Sequence, residues 1–567
     1  MRQTKRWTAV MLLSFLVLGL GLSAQVKKTK SASSGTQLPL KSESAETVRK
    51  IVTSGRLDDL RWPVFSDYRT HLDKFYRPAG YELAWVRNGE VTPEAQAIIG
   101  VLGQADNQGL RAEDYDASRW ADRLTLLKQS HSPADEARFD VALTVCTMRY
   151  ISDRRIGRIN PQRVKFELDI SEKKVDLAEL IRKHLAEGGD PESKLPKLDP
   201  PFPGYQRAHA ALLRYMELAK QDSGHKLPTP AVTVYPAGPY NDIAGLAAFL
   251  RLVGDLPENA TVTAGSTMYD NTLVEGVKRF QKRHGLPVNG WLDAATLEQM
   301  NVPLSQRVEQ LRLVLERYRW LRYKFSQPPI AVNVPEFVLY ALDADGRVGM
   351  TMGVNVGDAF DHQTPIFENT IKYLVFRPYW NVPPWIQRNE IVPAIVEDRD
   401  YIKDNLFEVV TPSGKLVTSG RISDAVLQQI RAGKLLVREK PNPENALGLL
   451  KIIFPNKHNV YLHDTPNGVD MFSGERARSH GCIHLQEPAK MAAWLLRDQG
   501  WDLKAAEQAM HSGRDNVTVN LKNPVPIFII YGTAVVKEDG TVHFYRDIYG
   551  HDATLQKALA KGYPYPQ

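Results

Sequence analysis

Cysteine is nearly absent: the 567 residues contain two, Cys146 and Cys482. A chain of this length buries enough apolar surface to hold a core without disulfides. Two cysteines therefore exclude a disulfide-stapled scaffold and direct attention to the setting of each thiol. No apolar run of about 18 residues occurs after the N-terminal segment, which excludes further membrane-spanning helices. No long Lys/Arg block with interleaved aromatics is present, which sets nucleic acid aside as a partner. The net charge of +7 nevertheless suits an anionic surface such as a cell envelope or a membrane. Composition, at 43% hydrophobic and 24% charged residues, is that of a folded globular protein, and the length suggests about three domains.

Arg2, Lys5 and Arg6 precede an apolar run from Val10 to Leu22, and Leu22-Ser23-Ala24 offers a small-residue cleavage site. Residues 1–24 read as a secretory signal peptide, with an uncleaved N-terminal membrane anchor as the alternative. No Cys follows the run, so a lipoprotein is not expected. Residues 25–44, rich in Lys, Ser, Thr and Gly, read as a flexible linker. Residues 45–238 carry helical periodicity, with Thr92 as an N-cap and Pro93 at the first helical position of one segment. Cys146 falls in the apolar stretch Val141–Met148 and reads as a small buried hydrophobe. A Pro/Gly-rich linker ends this region. Residues 241–303 hold three short helical segments, and 304–325 a connecting helix. From 326 to 550 the period changes to that of short strands, including Ile330–Val334, Phe337–Leu342, Val348–Val356, Ile371–Phe376, Ile452–Phe454, Ile527–Tyr531 and a last hairpin around Asp539-Gly540. An interruption at about 378–448 is too long for a loop and predicts an insertion with its own structure. Residues 551–567 read as a C-terminal tail. The fold class predicted is multidomain α+β: a helical scaffold, a three-helix unit, and a mostly antiparallel β domain bearing a capping insertion.

Chemistry concentrates in Ser479-His480-Gly481-Cys482-Ile483-His484. If extended, this segment places His480, Cys482 and His484 on one face, and a thiol among imidazoles is a candidate nucleophile. His463, nineteen residues upstream in Tyr461-Leu-His463-Asp-Thr-Pro466, supplies the base that Cys–His catalysis requires. Three readings stay open on pattern alone. They are a nucleophilic Cys–His pair, a zinc site built from His463, His480, Cys482 and His484 although the spacing matches no usual zinc motif, and a buried cysteine among surface histidines.

His463-Asp-Thr-Pro followed by Ser479-His-Gly-Cys-Ile-His-Leu485 resembles the catalytic motif of YkuD-type L,D-transpeptidases. Val277–Gly290, with Leu292, Thr296 and Leu297, resembles a peptidoglycan-binding module. The whole order, with Pro378–Ile386 opening the insertion and Asp547–Gly550 closing the domain, resembles the large YcbB-like subgroup. That resemblance implies a periplasmic transferase forming 3→3 cross-links in peptidoglycan, with no metal or organic cofactor. It makes Cys482 the nucleophile and His463 the base. The backbone N–H groups of Gly481 and Cys482 are the expected oxyanion donors. Ser479, His480 and Tyr461 are expected to line the site, and Trp380 and Trp385 to cap the substrate. Peptidoglycan stem peptides, as donor and acceptor, are the expected partners, beside other wall-synthesis enzymes. Lys278, Arg279, Lys282 and Arg283 on the three-helix unit form either a substrate-contacting face or a solvated one. One departure stands out: where the family usually has Arg, two residues after the cysteine, this chain has His484. Arg is always charged and grips a carboxylate with two N–H groups, so His484 predicts weaker or more pH-dependent donor binding. A hydrolase using the same site and a non-catalytic envelope-binding protein are the rival functions.

Overall fold

The computed structural model describes residues 42–562 apart from 131, 187–194, 264, 361 and 467–473. The expected signal segment and residues 25–41 of the expected linker lie outside the described residues. The linker ends sooner than position 44. Ser42 caps a helix over Glu43–Ser54, its side chain accepting the Ala45 N–H at 3.0 Å. Among the described residues no helix is long and apolar enough to cross a membrane.

The scaffold is built around one helix, Pro133–Ile156, which is buried along most of its length. Cys146 lies at its centre, fully buried, and burial pushes its thiol far above the ordinary range. A thiol that cannot ionise is inert, so Cys146 packs as an apolar side chain. Helices Glu43–Ser54, Pro93–Gly103 and Trp120–Ser130 pack around this helix.

The ten strands of the large sheet are numbered here in chain order. They are β1 Phe166–Glu167, β2 Ile330–Asn333, β3 Val338–Leu342, β4 Val348–Gly357, β5 Ile366–Phe376, β6 Leu450–Ile453, β7 Leu462–His463, β8 Ala477–Ser479, β9 Ile483–Leu485 and β10 Val517–Ile530. Neighbours run β6-β7-β9-β4-β3-β2-β10-β5-β1, and β8 lies beside β4. The C-terminal half of β5 also pairs with β6, so the sheet closes on itself as a barrel. Antiparallel pairs are in the majority, but β7–β9, β8–β4, β2–β10 and β1–β5 are parallel. Parallel neighbours need crossovers: the insertion lies in the one between β4 and β8, and the helix Pro488–Leu496 in the one that leads from β2 to β10.

β1 belongs to the scaffold in sequence and to the catalytic sheet in space. Phe166 pairs with Ile366, and one hydrophobic core runs from Val48 through both regions to Leu555. The tail expected after 550 is in fact a helix, His551–Leu559. Its Leu555 is buried in that core, and its Asp552 accepts from Arg317 at 2.5 Å and from Thr533 at 2.7 Å. Arg317 lies on the connecting helix, Leu304–Trp320, which packs with Pro203–Gln221 and the hairpin of Ala534–Val536 and Val542–Phe544 in a separate core.

The three-helix unit comprises Ile243–Leu252, Asn271–Arg283 and Ala294–Met300, each N-capped by an aspartate: Asp242, Asp270 and Asp293. It has its own core. Its basic face is largely committed to internal bonds. Arg283 is buried and donates from Nε to both Asp255 carboxylate oxygens at 2.8 Å, Arg279 donates to the Asp255 carbonyl, and Lys278 pairs with Glu275. Only Lys282 of the four is exposed without a bond among the described residues. The capping insertion is a small unit with a separate core and a four-stranded sheet built from Trp380–Asn381, Phe407–Val410, Leu416–Thr418 and Leu436–Glu439.

Candidate active site

Two adjacent parallel strands bring the chemistry together. In the β7–β9 ladder Leu462 is opposite Ile483 and His463 opposite His484, and the Ile483 N–H donates to the Tyr461 carbonyl at 3.1 Å. One step back, this register sets Tyr461 opposite Cys482. Side chains two apart share a face, so Tyr461, His463, Cys482 and His484 form a two-by-two array. The rings of His463 and His484 lie 4.2 Å apart, and those of Tyr461 and His463 5.6 Å.

The segment around the cysteine is not a continuous strand. β8 ends at Ser479, β9 begins at Ile483, and Gly481 between them has φ +102°. That conformation suits glycine, and it breaks the alternation that was expected to align His480 with Cys482. His480 instead points to the insertion, with Nε2 3.3 Å from Glu390 and its ring 4.8 Å from His362 and 6.0 Å from Trp385. Ser479 closes the turn: its hydroxyl donates to the Cys482 carbonyl at 2.6 Å and accepts the Gly481 N–H at 3.1 Å. The Gly481 N–H is therefore occupied, a correction to the expected pair of oxyanion donors. The Cys482 N–H has no acceptor among the described residues and is the donor left to meet an oxyanion.

His463 is buried, and its Nδ1 lies 2.6 Å from the Asp464 carbonyl. A carbonyl only accepts, so Nδ1 carries the hydrogen and Nε2 the lone pair. Burial, then His484, holds His463 well below the usual imidazole range, which keeps it a neutral base at physiological pH. No hydrogen bond joins it to Cys482 among the described residues; the thiol is directed at the Asn459 carbonyl, 3.8 Å away. Burial raises the Cys482 thiol, while the Tyr461 N–H, the Lys451 ammonium and the Tyr461 hydroxyl each lower it. The resting pair is thus thiol and imidazole rather than a preformed ion pair.

His484 is pushed down to about 4, first by burial and then by His480, and its Nδ1 is buried with no partner among the described residues. It is neutral at pH 7, so the pH dependence near neutrality expected of it does not arise from its own titration. Trp380 packs on Phe407 within the insertion, and its side chain counters the rise that burial gives the Tyr461 hydroxyl. Trp385 is 47% exposed beside His362, over the catalytic turn. Among the described residues no cluster of three or more His, Cys, Asp or Glu is set to hold a metal ion.

Sequence reasoning passed over Lys451, Asn459, Thr364, His362, Glu390 and the reach of Tyr549. Lys451 sits on β6 opposite His463, and its Nζ lies 3.9 Å from the centroid of the Tyr461 ring. The strand expected at Ile452–Phe454 in fact spans Leu450–Ile453 and so takes in Lys451, and the register that sets it opposite His463 has no local signal.

Three parts of this chain match known domains. Residues 328–529 match the L,D-transpeptidase catalytic domain, 241–300 a "Putative peptidoglycan binding domain", and 70–212 the scaffold domain. A curated protein of Haemophilus influenzae, "Putative L,D-transpeptidase", is 27% identical over 229 residues, which is 40% of this chain and 45% of that relative. The match thus spans less than half the relative's length. Two solved L,D-transpeptidase structures also match. The one from Xylanimonas cellulosilytica is 11% identical with a TM-score of 0.18, covering 53% of this chain and all of the other. The one from Stackebrandtia nassauensis is 14% identical with a TM-score of 0.20, covering 54% of this chain and 96% of the other. Scores that low carry no weight. The matched domains define a chain with a YkuD-type L,D-transpeptidase catalytic domain. With the scaffold and peptidoglycan-binding domains ahead of it, the chain fits the YcbB-like multidomain group.

Proposed function

We propose that this protein cross-links peptidoglycan in the periplasm by a 3→3 transpeptidation that runs through a thioester on Cys482. The observation that supports this most directly is the array on β7 and β9. It sets a thiol one register step from an imidazole whose Nδ1 is fixed by a carbonyl and whose Nε2 is free to take a proton.

The Cys482 proton passes to Nε2 of His463 as Sγ attacks the carbonyl carbon of the third residue in a donor tetrapeptide stem. Negative charge on that oxygen is met by the Cys482 N–H. Collapse breaks the C–N bond to the terminal D-alanine, whose amine leaves with the proton from Nε2. The side-chain amine of a second stem then attacks the thioester and gives its proton to Nε2. The new amide forms and the thiolate, reprotonated by His463, closes the cycle. Water in place of the amine would give a carboxypeptidase. In this reading Trp380 and Trp385 cover the bound stem, and a covered thioester is shielded from water.

The test is mass spectrometry of muropeptides after incubating the protein with tetrapeptide-rich disaccharide stems, beside Cys482→Ala. A dimer joined through two third-position residues, absent from the variant, supports the proposal. Tripeptide without dimer identifies a hydrolase. No Cys482-dependent product leaves an envelope-binding protein.

A further inference from the structure

At rest the histidines of the site carry no positive charge. Burial holds both His463 and His484 neutral at physiological pH, and the position where the resemblance would put an arginine is one of them. The titratable groups around the sulfur are Tyr461 just before β7, His463 on β7, Lys451 on β6, His484 on β9, and the His480–Glu390 pair at the edge of the insertion. Lys451 is partly buried and forms no ion pair among the described residues. A lysine withdrawn from water without a counter-ion is costly, and such a group points to an anion that arises only in use. Its Nζ stands 3.9 Å over the Tyr461 ring, a cation–π contact. The backbone N–H and the hydroxyl of that same tyrosine, with the Lys451 ammonium, counter the rise that burial gives the Cys482 thiol.

We infer that Lys451, acting beside and through Tyr461, is the fixed cation that stabilises the Cys482 thiolate during catalysis. It rests on the nucleophile assignment made above. Burial lowers the Lys451 ammonium and the charge on Cys482 raises it again; in this role Lys451 keeps its proton, and the one that leaves Sγ goes to Nε2 of His463. The same charge faces His463 across the β6–β7 pair, where Lys451 is the register partner of His463. It therefore opposes the imidazolium and favours return of the proton to the departing amine. This makes Lys451 a positioning and electrostatic residue rather than one that exchanges a proton.

The experiment is alkylation of Cys482 by iodoacetamide as a function of pH in the full chain, followed by mass spectrometry of the Cys482 peptide. The buried Cys146 serves as an internal record of folding. Lys451→Met keeps the apolar stem over Tyr461 and removes the charge; Lys451→Arg keeps the charge. The alkylation midpoint of the Met variant is expected to rise by about one pH unit, with roughly tenfold slower labelling at pH 7, and the Arg variant to label within about threefold of wild type. Should the Met variant expose Cys146, Lys451→Gln is read instead. An unchanged midpoint in a folded uncharged variant overturns the inference, as does an Arg variant that labels no faster than Met. Alkylation needs no stem peptide. A shifted midpoint in a protein that makes no cross-link would therefore sink the transpeptidase proposal and leave Lys451 in its role.

Discussion

The hydroxyl of Thr364 donates to the carbonyl of Gly481 at 2.9 Å, across 117 residues of sequence, and accepts the N–H of Gly357 at 2.8 Å. Thr364 is fully buried. Its own N–H donates to the Tyr549 hydroxyl at 3.2 Å, which in turn donates to the Gly357 carbonyl at 2.6 Å. The Tyr549 N–H reaches the Tyr531 hydroxyl at 2.8 Å, and Tyr531 reaches Asp547 at 2.7 Å. The turn that carries Cys482 is thus tied to the start of the C-terminal helix. A Cβ on Gly357 would come within 1.9 Å of the His362 carbonyl, so the approach of these strands depends on glycine there. Thr364→Val leaves a buried N–H and a carbonyl unpaired. It is expected to cost about 1–3 kcal/mol in denaturant unfolding and to lower turnover on the order of tenfold or more by loosening the turn. Wild-type turnover in a destabilised variant would show that the turn holds itself.

His484 offers a test of sign. Its folded pKa, lowered to about 4 by burial, lies below the ordinary imidazole value of about 6.5. Between those values the unfolded chain binds a proton that the folded one does not, so His484 removes stability as pH falls from about 6.5 toward 4. His484→Gln should flatten the dependence of Tm on pH in that window. Parallel melting curves for the two proteins would refute the assignment. Above pH 6.5 the two dependences should coincide.

His484→Arg restores the charge that the resemblance places at this position. A charge-assisted bond to a donor carboxylate should lower the donor KM by about tenfold. The Arg would also stand against His463, whose ring lies 4.2 Å from that of His484, so kcat is expected to fall at the same time. Steady-state kinetics with soluble stems separates the two, and an unchanged KM would mean that the donor carboxylate is bound elsewhere.

The insertion meets the catalytic turn through Trp385, His362, His480 and Glu390. The Glu390–His480 pair is half-exposed, so it contributes little by itself. Trp385 covers more surface. On the proposal that this ring covers a bound stem and shields the sulfur, Trp385→Ala should raise the stem-peptide KM by about fivefold to tenfold and speed alkylation of Cys482. Glu390→Gln should change both by about twofold at most. Equal effects from the two variants would assign the contact to charge instead.

In the three-helix unit, Arg283 and Asp255 form a buried pair, and Arg283 also donates to the Tyr215 hydroxyl at 3.3 Å. Arg283→Ala strands a buried carboxylate and should cost about 3–5 kcal/mol in thermal or denaturant unfolding. A loss of sacculus binding without loss of stability would instead identify Arg283 as a contact to substrate.

Much of this molecule could be read along the chain. The Thr92–Pro93 helix start, the three-helix unit, the Asp539-Gly540 hairpin and the Ser479–Leu485 cluster depend on caps, turns and periods that act over a few residues. Burial of Cys146 followed from its apolar surroundings for the same reason. Only the tertiary structure decided what depends on pairing between distant segments. The β7–β9 register sets Tyr461 against Cys482 and His463 against His484, and the β6–β7 register sets Lys451 opposite His463. A shift of one residue would turn each side chain to the other face, and no local signal states that register. The helix at His551–Leu559 was missed because its role comes from Arg317 and Thr533, which bind Asp552 from other elements. The break in alternation at Gly481 was missed because a glycine permits positive φ without requiring it. Here the hold of Ser479 and Thr364 on the turn requires it.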